Sequence, residues 1–282
     1  MTLQASGAIS LLDIQNEFGG SNPIGINEYY GSGGAPSSGT ISIGNFYGRS
    51  ASSGSLSITL LLMAGGGSAE SDEEDPRAPG GGGAGGLLTQ TLSVAGSNAI
   101  TIGGSDGNST FPSATTAIKG GYTFSGGESR GFAANGGSGG GWSGGGRGAG
   151  PPGDGTPGQG NPGTYSGGGG GKGSAGAASG GGGGSGYNIA DFRGGPALTV
   201  AFGGPAGSYF PTQSPAANTG GGATRGEASG GGTTPGGSGI VIVRYPGSTQ
   251  LATGGNSTYT RTVGGVAYYF HEFTSSGTFT KT

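Results

Sequence analysis

Cysteine is absent from this chain of 282 residues, which removes disulfides, thiolate nucleophiles and sulfur-ligated metals together. Histidine occurs once, at His271, within the apolar alternation of a strand-like run, and a lone histidine makes neither a triad nor a metal cluster. Charge is also scarce. The 11 Lys and Arg against 14 Asp and Glu leave a net charge of −3, and basic residues scattered singly give no electrostatic footprint for nucleic acid. No run approaches the roughly 18 to 20 apolar residues of a membrane span, and the N-terminus has no basic region followed by an apolar stretch, so no span and no export signal is expected. Apolar residues make up 30% of the chain, well below the roughly 45–50% of an ordinary globular composition. Backbone hydrogen bonding or partner chains must supply what side chains do not, and a homo-oligomer is expected, a homotrimer or larger where the C-terminal strands pair between chains.

Catalytic patterns are missing as well. G-x-G-x-x-G matches arise by chance in so much glycine, and none opens a helix; Gly171-Lys172-Gly173 lacks the hydroxyl residue that a phosphate loop needs after its lysine. The 14 carboxylates offer no pair to assign to glycoside cleavage and no metal-ligand spacing. No enzyme, no cofactor and no metal site is expected. The one charge run, Glu70, Asp72, Glu73, Glu74 and Asp75 before Pro76, has oxygen ligands for calcium but not the spacing of an EF-hand loop, and reads as a solvated loop.

What the chain has is glycine, 78 residues of it, in bursts at Gly80 to Gly86, Gly136 to Gly148, Gly167 to Gly176, Gly180 to Gly186, Gly220 to Gly222 and Gly230 to Gly239. Collagen is excluded, because its axis admits only glycine at every third position and the Gly150 to Gly158 stretch breaks that period. A flexible linker is the other compositional reading. Against it, the bursts are interrupted by Phe111, Tyr122, Phe124, Phe132, Trp142, Tyr165, Tyr187, Phe192, Phe202, Tyr209 and Phe210. The ordered alternative is a bundle of extended polyglycine II strands. Such a strand has no internal hydrogen bonds, so its N–H and C=O groups must pair with neighbours that approach only where no Cβ intervenes. This packing is expected to fill much of residues 126–239.

Two apolar runs bracket the glycine, Ser57 to Met63 and Ile240 to Tyr245, and both read as strands. Leu87 to Val94 and Asn98 to Ile102 read as a hairpin around Ala95, Gly96 and Ser97; Leu198 to Phe202 is a weaker strand. Thr258 to Val263 and Val266 to Phe273 form a hairpin about Gly264-Gly265. Its strands, with Thr278 to Thr280, are expected to pair with the bracketing strands, in the same chain or in a neighbour. Near the N-terminus, Ser10 to Asp13 is a capping box, and Leu11, Leu12, Ile14 and Phe18 make the apolar set of one short helix ended by Gly19-Gly20. An internal repeat follows: Ile24, Ile26, Tyr29, Tyr30, Gly31 and Ile41, Ile43, Phe46, Tyr47, Gly48 share I-x-I-x-x-(Y/F)-Y-G at a spacing of 17. The division is therefore an N-terminal segment at 1–50, a glycine-rich β/polyglycine II module at 51–245 and a C-terminal hairpin at 246–282 that is expected to complete the sheet. The fold class is mainly β: a β-sandwich with an inserted polyglycine II bundle, preceded by a short segment with one small helix.

The stretch from Ser10 to Ile24, followed by Glu28-Tyr29-Tyr30-Gly31, resembles N-terminal segments of tail and fibre proteins of tailed bacteriophages of marine and cyanobacterial hosts. Residues 57–245 resemble the glycine-rich module of phage tail fibres, which opens as Leu61 to Gly67 do and closes as Gly237 to Tyr245 do. In that module a phrase like His271 to Thr280 usually comes before the opening run; here it comes last. The resemblance implies a virion protein, assembled in the host cytoplasm, that recognises a host surface receptor non-covalently. It further implies attachment to other tail proteins through Leu11, Leu12, Ile14, Phe18, Ile26, Tyr29, Tyr30, Ile43, Phe46 and Tyr47. Aromatic residues supply contact area at low entropic cost, so Trp142, Tyr165, Tyr187, Phe192, Tyr209 and Phe210 are the receptor-binding candidates. A passive adaptor or decoration protein is the alternative, and an ice-binding protein with rows of small side chains is a third.

Overall fold

The computed structural model describes residues 3–32, 35–49, 55–71, 80–125, 132–142, 150–165, 167–177, 181–206, 211–224 and 232–282. The chain divides into two compact units, residues 1–54 and 55–282.

The first unit opens with helix α1 (Leu11–Phe18). The Ser10 hydroxyl accepts from the Asp13 N–H at 3.1 Å, and the Asp13 carboxylate accepts from the Ser10 N–H at 2.8 Å. Both copies of the repeat form single 3-10 turns, Ile26–Tyr29 and Ile43–Phe46, and each is started by a side-chain acceptor three residues into the turn: Glu28 for Gly25 N–H, Asn45 for Ser42 N–H. Equivalent residues then do equivalent work. Tyr29 and Phe46 are buried against each other edge to face, with centroids 6.0 Å apart, and with Ile14 they form the unit's core. Tyr30 donates its hydroxyl to the carbonyl of Gly39, and Tyr47 donates to that of Gly7. Gly31 N–H bonds to Pro36 O, and Gly48 N–H to Gln4 O, each at 3.0 Å.

Among its described residues, the second unit has fourteen short strands in chain order. These are β1 (Leu56–Met63), β2 (Ala69–Ser71), β3 (Leu87–Val94), β4 (Ser97–Ile100), β5 (Thr123–Ser125), β6 (Phe132–Ala133) and β7 (Tyr187–Asn188), then β8 (Thr199–Val200), β9 (Gly232–Thr234), β10 (Ile240–Pro246), β11 (Ala252–Thr253), β12 (Ser257–Val263), β13 (Val266–Phe273) and β14 (Gly277–Lys281). A one-turn helix α2 (Ala190–Arg193) lies between β7 and β8. The main sheet is antiparallel in the order β12-β13-β10-β1-β3. Its middle strands carry unbroken apolar runs because both faces are covered. On one face Ile58, Leu60, Leu62, Val241, Val243 and Tyr245 pack against Ile100 and Phe279 of a second sheet, β11-β14-β4. On the other, Leu61, Met63, Ile240, Ile242 and Phe270 pack against Ile189, Phe192 and Val200. At about 1.5–3 kcal/mol per large apolar side chain buried, this sandwich is the main side-chain contribution to folding.

The C-terminal hairpin joins the main sheet within the chain: β13 pairs with β10, from Val241↔Phe273 to Pro246↔Tyr268. Gly264 and Gly265 take φ of 58° and 84° at its two-residue turn, the left-handed pair that favours glycine. The Leu87 to Ile102 region departs from expectation. β3 and β4 do not form a hairpin; β3 pairs with β1 along its whole length and β4 pairs with β14. The turn at Gly96, φ 55°, is a corner between the two layers, and it lets Val94 and Ile100 both enter the core from opposite sheets.

Between β1 and β10 the glycine segments form a bundle centred on residues 80–86. Successive N–H groups of this segment address three neighbours in rotation. Gly81 and Ala84 donate to Gly167 and Gly170, Gly82 and Gly85 to Ala223 and Gly220, Gly83 and Gly86 to Gly121 and Ile118. Its carbonyls accept from three others: Gly81 and Ala84 from Gly141 and Ser138, Gly82 from Gly204, Gly83 and Gly86 from Gly67 and Ala64. The six neighbours close a ring through their own bonds, Gly120 to Gly65, Gly121 to Ser138, Gly170 to Gly139, Gly169 to Gly204, Gly222 to Phe202 and Ala223 to Gly67. A three-residue period with hydrogen bonds leaving in every direction is polyglycine II packing. Four of the six neighbours, 138–141, 167–170, 202–204 and 220–223, lie within residues 126–239, where the bundle was expected; the axis itself, the segment that precedes β3, lies outside that range. Within 126–239, moreover, α2, β7 and β8 are not part of the bundle.

Candidate recognition surface

One end of the bundle continues into the sandwich: Ala64 follows β1, Gly86 precedes β3 and Gly239 precedes β10. At the far end, marked by Gly67, Gly80, Gly121 and Gly141, a small sheet stands in the order β6-β5-β2-β9. Thr123 fixes it there, donating its N–H to Ser68 O at 3.0 Å and its hydroxyl to Gly80 O at 2.6 Å.

This sheet carries a ring cluster. Phe132 lies 5.5 Å from Tyr122, edge to face, and 5.8 Å from Phe124, and the Lys119 ammonium stands 5.3 Å from the Tyr122 centroid. Phe132 is 42% exposed, and Tyr122 and Phe124 are half-buried. The rings rise from a scaffold with almost no side chains to bury them, since the adjoining positions are Gly120, Gly121, Gly136 and Gly137. The alternation from Tyr122 to Phe124 was the signal for this site, and it is hidden among many other interrupted glycine bursts.

The receptor-binding candidates read from the sequence separate into different places. Tyr165 is 69% exposed and follows Thr164, whose carbonyl accepts from Trp142 N–H at 2.8 Å, so both belong to the far end; Trp142 itself is buried. Tyr187 is exposed on β7, beside the sandwich. Phe192 is buried beneath α2 in the sandwich core, with the Arg244 guanidinium 4.3 Å from its ring centroid. The neighbouring pair Arg193–Glu272, at 3.1 Å, and the Tyr259 hydroxyl bonded to Glu272 tie α2 to the main sheet. Tyr209 and Phe210 lie outside the described residues, as do Asp72, Glu73, Glu74 and Asp75 of the acidic run. Among the attachment candidates, Ile14, Tyr29 and Phe46 are core residues of the first unit, and Leu11, Phe18, Ile26 and Tyr47 are half-buried around them. Leu12, Tyr30 and Ile43 are exposed.

Other polar groups are engaged structurally. Lys172 donates its ammonium to Gly158 O, and burial holds its pKa below the usual lysine range. His271 is fully buried. A recess of about 160 Å³ lined by Phe202, Gln213, Pro215, Ala216 and Thr224 opens beside the 220–223 segment. Among the described residues, no group of three or more His, Asp or Glu side chains is placed to hold a metal ion, and no helix is long and apolar enough to cross a membrane. Comparison with curated proteins and with solved structures found no match. A family model does match, that of the glycine-rich domain, over residues 42–246, a span holding β1, the whole bundle and β10; the chain belongs to this glycine-rich domain family.

Proposed function

We propose that the protein is a structural component of a tailed-bacteriophage virion, a tail-fibre or receptor-binding protein that recognises the host surface without chemistry. The observation that carries this reading is the ring cluster of the exposed Phe132 and the half-buried Tyr122 and Phe124 on the far end of a side-chain-poor bundle. Aromatic rings held on a backbone-bonded scaffold supply contact area while little conformational entropy is lost on binding. The resemblance of the N-terminal segment to those of tail and fibre proteins supports a virion setting. In it, Leu12, Tyr30 and Ile43 of the first unit are the apolar side chains free to meet another tail protein.

Purified protein incubated with a panel of bacteria that includes cyanobacteria tests the reading. Saturable binding to one strain, and protection of that strain from phage adsorption, is the expected result. Phe132→Ala and Tyr165→Ala should each weaken it with unchanged thermal stability. A folded protein that binds no strain and protects none would leave a passive adaptor role in place of recognition.

A further inference from the structure

The first unit contains one kind of contact twice. In each, a Tyr-Gly pair grips a Ser-Gly-x-Ile-Ser segment: the tyrosine hydroxyl bonds the glycine carbonyl, and the following glycine N–H bonds the carbonyl three residues earlier. The gripped segments are 38–42 and 6–10, and Gly39 and Gly7 share an unusual backbone, φ 93° and 103°. The two grips differ in reach. Tyr30 and Gly39 are nine residues apart and Tyr47 and Gly7 are 40 apart. The same letter pattern, with leucine for isoleucine, recurs at residues 53–57, but Leu56 and Ser57 are paired with β3.

We infer that Tyr47-Gly48 is an acceptor site for a Ser-Gly-x-Ile-Ser segment, and that in the assembled protein a second copy of this chain supplies it from residues 3–9. Three observations carry this. The bonds from segment 3–9 to the acceptor all go to the three residues 47–49: Leu3 N–H to Arg49 O, Gly48 N–H to Gln4 O and the Tyr47 hydroxyl to Gly7 O. Gln4 to Ala8 are exposed, while Leu3 packs against the core and Ile9 is inserted in it, so an exchanged segment brings the same two apolar side chains and the same bonds to the partner's core. It joins the rest of the unit at Ser10, whose backbone is extended, φ −97° and ψ 163°, and which stays with α1 as its cap. Exchange of an identical element re-forms every bond between copies. It also brings the exposed Leu12, 54% accessible and close to Ser10 in the chain, beside a second copy. Reciprocal exchange closes a dimer; one-way exchange runs on to a ring or a filament.

The absence of cysteine makes the test clean. A Cβ built on Gly48 lies 3.8 Å from the Ala5 Cβ, the middle of the disulfide range of about 3.5–4.5 Å. Two differently tagged full-length chains, one Ala5→Cys and the other Gly48→Cys, are co-expressed and oxidised. The expected result is a disulfide joining the two tags, absent when either variant is expressed alone. If the Ala5→Cys/Gly48→Cys double variant closes within its own chain and the mixture gives no joined product, the second copy is ruled out. The acceptor site is tested separately with a peptide of residues 3–11 added to chain lacking residues 3–9. Saturable binding is expected, weakened about two- to tenfold by Tyr47→Phe, the loss of one hydrogen bond. A shortened chain that stays folded and takes up no peptide overturns the site.

Discussion

The hydroxyl of Tyr245 lies 3.1 Å from Nε2 of His271, both side chains fully buried between the two sheets. His271 Nδ1 is 2.7 Å from Gly254 O, a carbonyl that can only accept, so Nδ1 carries the proton and Nε2 accepts from the tyrosine. The Tyr245 oxygen in turn accepts from Leu251 N–H at 2.9 Å. This relay pins the loop before β12 to the core and requires a neutral imidazole.

Burial lowers the His271 pKa below its ordinary value near 6.5. The unfolded chain therefore binds the proton more readily, and the stability held by the neutral ring is complete above about pH 6.5. It is lost as the pH falls from there through the folded value. The thermal midpoint should drop between pH 7 and 5.5, and His271→Gln should remove that dependence, since no other histidine is present. A midpoint that is flat over this window in the unaltered chain would refute the relay. Tyr245, raised chiefly by burial, adds the mirror image: stability present below about pH 10 and lost above it.

In the bundle, the position of a glycine decides what alanine does there. A Cβ at Gly81 would stand 1.8 Å from Gly204 O, and one at Gly82 2.0 Å from Gly67 O, backbone atoms on ring segments that cannot withdraw singly. Gly81→Ala should yield no soluble, cooperatively melting protein. Gly150 has nothing within 4 Å of its Cβ position, and Gly150→Ala should be neutral or stabilising by about 0.4–1 kcal/mol through the unfolded state. Denaturant titration of both variants checks the contrast.

Tyr29 buries a hydroxyl that has no hydrogen-bond partner, at the repeat position where the second copy has Phe46. Tyr29→Phe removes an unpaired polar group while keeping the edge-to-face contact with Phe46. The first unit should gain about 1 kcal/mol, read from protection of its amides in hydrogen exchange. A loss of protection would mean that the hydroxyl is satisfied after all.

Phe132 and Trp142 test the far end from two sides. Trp142 is 7% exposed, so Trp142→Ala should cost about 3–5 kcal/mol, as truncation of a buried large ring does. Phe132→Ala leaves the fold intact and should lower only surface binding. Equal thermal shifts for both variants would make the ring cluster of β5 and β6 structural.

Legibility in the sequence followed side-chain content. The apolar runs of β1 and β10, the Gly264-Gly265 turn and the Ser10 capping box each carry a local pattern with one physical reading. Where side chains vanish, so does the information: the segment 80–86 has the composition of the other bursts, and only its six hydrogen-bonded neighbours make it the axis. The same limit applied to aromatic residues. Phe192 and Tyr165 both interrupt glycine, yet one is 8% and the other 69% exposed, because α2 meets the main sheet and the loop after Thr164 meets nothing comparable. β3 and β4 looked like a hairpin for a related reason, since a tight turn at Gly96 serves a layer change as readily as a reversal.

The rotation of hydrogen bonds along residues 80–86 makes the bundle a ratchet with a step of three. Adding three residues to a segment advances it by one full turn, about 9 Å, and returns each N–H to the neighbour that it faced before. Adding one or two turns every donor toward a different segment, where a carbonyl is already taken. Length changes in multiples of three therefore pass silently through the scaffold and emerge only at its far end, as a taller or shorter platform beneath the rings.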